Sequence, residues 1–232
     1  MTACGAQDFS TSEKKEPAGS ISDSDISTNG NSANSENAPD NSSSLPTGEN
    51  PLGSSELTPE SRFEGNVYEF PIAGLDPKQV YTSLPKPLPT AWLVGAIYTD
   101  KIDVAPRDFN QGFPNLPKPK QRDTLLEWFA IHYKGNLVVP TAGDYQFKIT
   151  SDDGSLVLIE SNIVVDNDGQ HGFVSAQSEN VPLEAKVYPI EILYYQGPKF
   201  SLGIQLFWKK PGDSDYSIIP ATAFEKLQKS EK

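Results

Sequence analysis

The sequence predicts an all-β fold of antiparallel strands, a jelly-roll-like β-sandwich or a barrel. Three observations carry that reading. Tyr145, Phe147 and Ile149 alternate with Gln146, Lys148 and Thr150, the period of a half-buried antiparallel strand. Short apolar runs recur between turns built from Gly, Pro and Asn or Asp. No stretch sustains a long helical period.

The strands follow in order. Val67–Ile72 is a short apolar run. Pro77, Pro85, Pro87 and Pro89 then break any ladder, because proline has no N–H to donate. Trp92–Tyr98 is a strand, and Asp100–Arg122, with four prolines, is predicted to be loop. Leu125–Lys134 places Leu125, Phe129, Ile131 and Tyr133 largely on one face and Trp128, Ala130 and His132 on the other. Gly135-Asn136 is predicted to turn, and Leu137–Pro140 to follow it as a separate segment. Asp144–Ser151, Leu156–Ile159, Ile163–Asp166, Val187–Gln196, Phe200–Trp208 and Ser217–Ile219 complete the set. Ala221–Lys229 is expected to close the chain as a short helix.

Before Arg62 the composition is different. The first sixty residues hold one aromatic, Phe9, and runs such as Ser42-Ser43-Ser44. So little apolar bulk cannot offset the entropy of ordering. Residues 1–61 therefore read as a disordered, acidic, Ser/Asn-rich tether, 62–91 as a Pro-rich lead-in, 92–226 as the sandwich and 227–232 as a charged tail. Of the formal net charge of -12, about -8 falls on residues 1–60. The remainder is only mildly acidic, so nucleic acid is excluded as a partner.

Cys4 is the single cysteine, which rules out an intrachain disulfide and a multi-cysteine zinc site. Thr2-Ala3-Cys4-Gly5 resembles the end of a bacterial lipoprotein signal, with small residues before the acylated cysteine. The apolar stretch that should precede it is missing, so either the start is trimmed or the resemblance is accidental. A lone cysteine followed by a long polar tether favours the lipid anchor, and with it a cell-envelope or extracellular location. That anchor is then the only expected contact with a membrane.

Asp152-Asp153-Gly154-Ser155 lies between two predicted strands. Adjacent carboxylates repel, so they are either a solvated turn or a site where a hard cation draws them together; calcium (Ca2+) prefers several oxygen ligands. Asp166-Asn167-Asp168-Gly169 offers oxygens too, but no glutamate closes it as a calcium loop, and a turn role is preferred. His132, within a strand, reads as a packed or surface histidine. No nucleophile–base set, zinc pair, P-loop or dinucleotide glycine pattern occurs, so no enzyme is expected.

Taken in order, several segments resemble the PA-fourteen domain, named after the anthrax toxin protective antigen and also found in yeast flocculin adhesins and bacterial glycosidases. They are Tyr133-Lys134-Gly135, Pro140-x-x-Gly143-x-Tyr145-x-Phe147, Ser151-Asp152-Asp153-Gly154-Ser155, Val164-Val165-Asp166-Asn167, Tyr194-Tyr195-Gln196-Gly197 and Leu206-x-Trp208. The likeness runs from about Trp92 to Phe224. One departure is Glu160-Ser161-Asn162, where the family usually has an Asp-Gly hairpin; an altered or longer turn is expected there. The resemblance implies a β-sandwich in which Asp152 and Asp153, joined by a cis peptide in sugar-binding members, hold one calcium. Gln196 is the nearest oxygen-bearing side chain for a third ligand, with Gly197 and Lys199 offering carbonyls. Calcium with open positions can then bind vicinal sugar hydroxyls of a glycan or polysaccharide. Tyr195 or Phe200 could supply the stacking surface such a ligand uses. The competing reading is a non-catalytic structural domain, or one that binds another envelope protein, in which calcium only stabilises a loop.

Overall fold

The computed structural model describes residues 50–116, 122–199 and 201–228. Cys4, Phe200, the tail from 229 and the expected tether up to residue 49 lie outside the described residues. Within them two antiparallel sheets face each other. The strands are β1 (Phe63–Glu69), β2 (Leu93–Thr99), β3 (Asp103–Asp108), β4 (Phe129–Val138), β5 (Gly143–Asp152) and β6 (Ser155–Ile159). They continue as β7 (Asn162–Asn167), β8 (Val174–Gln177), β9 (Val181–Leu183), β10 (Val187–Gln196), β11 (Ser201–Lys209) and β12 (Ser217–Ile218). The first sheet runs β2-β1-β4-β10-β6-β7 and the second β12-β11-β5-β8, with β3 paired to β11 and β9 to β5.

Alternation decides which residues meet between the sheets. Phe129, Ile131 and Tyr133 of β4 and Ile190, Ile192 and Tyr194 of β10 face Phe147 and Ile149 of β5 and Leu202, Ile204 and Leu206 of β11 in one buried core. All three tryptophans are partly or fully withdrawn from solvent: Trp128 and Trp208 are buried and Trp92 is half-buried. The opposite face of the first sheet is also covered. Tyr68, Phe70, Tyr81, Leu84, Trp128, Ala130, Leu156 and Tyr195 form a second apolar cluster there. Residues 70–92, including the one-turn helix α1 (Pro77–Val80), supply Phe70, Tyr81 and Leu84 to it and form a strap across that face.

Several boundaries differ from the expectation. The lead-in is part of the sandwich, because β1 lies between β2 and β4. Residues 50–61 are also folded: Leu52 is buried, its carbonyl accepts from the Tyr133 hydroxyl at 2.8 Å, and Ser54 bridges Tyr98. Gly135-Asn136 does not turn; β4 runs through it opposite Pro189 and Ile190 of β10. The glycine is there for clearance, since a Cβ would lie 2.7 Å from the Phe63 ring. β3 was missed because its residues are mostly exposed and it contains Pro106, which an edge strand tolerates. The expected terminal helix is only a 3-10 turn, Ala221–Ala223. Phe224 instead bridges Leu137 and packs on Phe63 at 4.7 Å.

The β6–β7 hairpin has a two-residue loop, Glu160-Ser161, not a longer one. Both residues take positive φ, 50° and 65°, as a type I′ hairpin turn requires. The sequence change therefore alters the turn residues without altering the turn length.

Candidate functional site

Asp152 ends β5 and Ser155 begins β6, so the two aspartates sit in a tight strand-to-strand turn. The peptide between Asp152 and Asp153 is cis, as the resemblance implied. Buried hydroxyls brace the base of the turn. The Ser151 and Ser155 Oγ atoms are 2.7 Å apart, and the Asn167 amide donates to Ser151 Oγ at 2.9 Å.

Asp153 is almost fully buried and held from two sides. Its Oδ1 accepts from the His171 backbone N–H at 3.0 Å and its Oδ2 from the Gly197 N–H at 2.8 Å. Gly197 must be small to come this close: a Cβ would lie 3.2 Å from Asp153 Oδ2 and 2.9 Å from the Tyr195 hydroxyl. Burial pushes the Asp153 carboxyl up to about 6 and the neighbouring Asp152 charge adds to the rise, while the Gly197 and His171 donors oppose it. Burial also raises Asp152, against a hydrogen bond from Ser201 and the field of His171. Two carboxylates that resist ionisation side by side are stabilised by a neutralising cation.

Both aspartates open into a pocket of about 300 Å³. Gln170, His171, Gly172, Pro198, Lys199 and Ser201 line the rest of it. A separate void of about 30 Å³ near Asn50 and Phe113 has no carboxylate in its wall.

Does this donor set suit calcium? Among the described residues no three or more His, Cys, Asp and Glu side chains cluster as a metal site. A cation here would rest on two carboxylates and neutral oxygens, which is hard-ion chemistry. Acceptors are in surplus: the Asp152 carbonyl and Gln196 Oε1 both lie 2.6 Å from the Tyr194 hydroxyl, which has one proton to give. Each Asp153 oxygen accepts one N–H and keeps a second lone pair. The residues fit a calcium ion.

Residues 118–221 match the family model of the PA14 domain. Solved structures show the same fold. The PA14 sugar-binding domain from an RTX adhesin aligns with TM-score 0.53 at 16% identity, covering 72% of this chain and 99% of that one. The Epithelial Adhesin 6 A domain from Candida glabrata, in complex with Galβ1-3GlcNAc, gives 0.50 at 16%, covering 78% and 94%. An anti-sigma factor domain-containing protein from Clostridium clariflavum gives 0.50 at 18%, covering 75% of this chain. This chain spans 51% of that relative's length. No curated protein matches the chain.

Within the PA14-like region the residues named from sequence separate. Asp152, Asp153 and Lys199 line one pocket. Gln196 is buried beside it, not in its lining; its amide nitrogen donates to the Pro198 and Ser201 carbonyls, each at 3.1 Å. Tyr195 is fully buried against the strap and its hydroxyl donates to the Tyr81 carbonyl, so it offers no stacking face. Phe200 is outside the described residues.

Sequence reasoning missed Gln170, His171, Pro198 and Ser201 as pocket residues. The loop from Asp166 to Gly172 does make turns, Asp166 Oδ1 accepting from the Asp168 N–H at 3.0 Å. Nothing local in its sequence signals that it lies against the aspartate turn. The one visible hint is Gly154, where a Cβ would meet the Gly169 backbone at 2.7 Å.

Proposed function

We propose that this chain is a non-catalytic, calcium-dependent carbohydrate-binding module, held at the cell envelope by a lipid on Cys4. One observation carries the reading: two adjacent carboxylates, both raised by burial, open into a polar pocket of about 300 Å³. Asp152 and Asp153 supply the anionic oxygens. Gln196 Oε1 is the neutral candidate beside them, and it also orients the Tyr194 hydroxyl. Calcium held this way keeps positions open for vicinal sugar hydroxyls. Gln170, His171, Lys199 and Ser201 offer hydrogen-bonding groups around the ligand.

Two similar folds support the ligand class. The RTX adhesin domain is described as sugar-binding, and the Candida glabrata domain was solved with Galβ1-3GlcNAc. Envelope display rests on Cys4 and the polar segment after it; two acyl chains would anchor stably, where one is marginal. Among the described residues no helix is long and apolar enough to cross a membrane.

A second reading has its own support. Among the described residues no Phe, Tyr or Trp side chain lines the pocket, which favours a loop-stabilising calcium in a structural or protein-binding domain. Calcium calorimetry on wild type and Asp153→Ala, followed by a glycan array in calcium, separates the two. Calcium binding that Asp153→Ala abolishes, with glycan capture, supports the first reading. Calcium binding without any glycan supports the second. No calcium binding at all sinks both.

A further inference from the structure

The aspartate turn is one layer of a stack of three. The loop between β7 and β8 lies on it, and the strap, residues 70–92, lies on the loop. The strap precedes the region that matches the PA14 family model, residues 118–221.

The loop grips the strap with two side chains. Asp168 Oδ1 accepts from the Leu84 N–H at 2.8 Å and Oδ2 pairs with Lys86 Nζ at 2.9 Å. Asp168 Oδ1 also accepts from the Gly169 N–H at 2.9 Å, so one mostly buried carboxylate fixes both segments. Gln170 Nε2 donates to the strap carbonyls of Lys78 at 3.1 Å and Tyr81 at 2.8 Å. On its other side the same loop touches the site. His171 donates its backbone N–H to Asp153 Oδ1, and its Nε2 lies 2.9 Å from the Asn167 carbonyl. Gln170, His171 and Gly172 form one wall of the pocket.

We propose that Asp168 is a positioning residue of the calcium site: by latching the strap it fixes the loop that orients Asp153 and walls the pocket. The proposal rests on the functional reading above. Groups that orient a metal's carboxylate ligands do so through such hydrogen bonds, and losing one typically weakens metal affinity about 10-fold or more. Asp168 does not line the pocket, so its influence passes through the loop backbone.

The test uses the full chain and calcium alone as the probe. Asp168→Ala should weaken calcium affinity about 10-fold by calorimetry. Asp168→Asn keeps an oxygen for the Leu84 and Gly169 N–H groups and should recover most of that loss. Ile219→Ala, a buried residue of the main core, should lower the melting temperature while leaving calcium affinity unchanged. Hydrogen exchange on the metal-free proteins gives a second readout: Asp168→Ala should expose the His171 amide while amides of β4 and β10 stay protected. Unchanged calcium affinity in Asp168→Ala, or a His171 amide as protected as in wild type, overturns the proposal alone. A wild type that binds no calcium overturns the functional reading and this proposal with it. If Ile219→Ala weakens calcium as much as Asp168→Ala, the effect is general destabilisation and the proposal is wrong.

Discussion

Asp152→Asn should shift stability in opposite directions with and without calcium. The substitution keeps the side-chain size, removes one charge, and leaves the Asp152 carbonyl to accept from Tyr194. In chelator near neutral pH the wild type holds two ionised carboxylates in a partly buried site. Asp153 titrates near 6 instead of 3.8, which corresponds to at most about 3 kcal/mol. Burial is the largest cause and the Asp152 charge a smaller one. With solvent screening in the open pocket, relief from removing Asp152 is roughly 0.5–1 kcal/mol. That raises the melting temperature by about 1–3 °C for a domain of this size. In calcium at about 100 times its dissociation constant, the wild type gains about 2.7 kcal/mol, or roughly 5–10 °C, and the variant loses most of that gain. The order of the two melting curves therefore reverses between buffers. Scanning calorimetry of both proteins in chelator and in calcium reads it directly. An equal drop for Asp152→Asn in both buffers would refute the reasoning and reduce the pair to a turn.

Other outcomes follow from the same geometry. Because Asp153 titrates above its ordinary value, the stability it contributes to the metal-free fold is complete below about pH 4 and is lost as pH rises through about 6. Melting curves in chelator should fall as pH rises across that window, and calcium affinity should fall as the pH drops through about 6, where Asp153 takes up its proton; a rise in chelator would contradict the sign. Ser161→Gly should stabilise the fold by about 1 kcal/mol in denaturant titration, since Ser161 sits at φ 65°, and should leave calcium affinity alone. Leu52→Ala should cost about 2–4 kcal/mol, and limited proteolysis should leave a core that begins at or before Asn50, not at Arg62. Tyr195→Phe should cost about 1 kcal/mol through its lost bond to Tyr81 and leave glycan capture intact; lost capture would restore Tyr195 as a ligand contact.

The central strands were legible because their residues see local alternation: β5, β10 and β11 follow the Tyr145, Tyr194 and Leu202 patterns closely. Positions governed by distant neighbours were not. Gly135 reads as a turn until Phe63 is packed over it. Alternation puts Tyr195 on the outer face of the first sheet, and only the strap, more than a hundred residues earlier, removes that face from water. The same limit applied to the site. Asp152-Asp153 stood out as adjacent charges, whereas the roles of His171 and Asp168 depend on a β7–β8 loop folding back onto the turn. Gln196 was visible as an oxygen donor, but its commitment to Tyr194, Pro198 and Ser201 was not.

The most direct test of the central claim is linkage between calcium and glycan. Wild-type protein should be screened on a glycan array in calcium, and the best-captured glycan titrated at a series of calcium concentrations. Glycan affinity should rise with calcium to a plateau, vanish in chelator, and be absent in Asp153→Ala, with the glycan tightening calcium by the same factor. Glycan affinity that does not change with calcium would contradict the account.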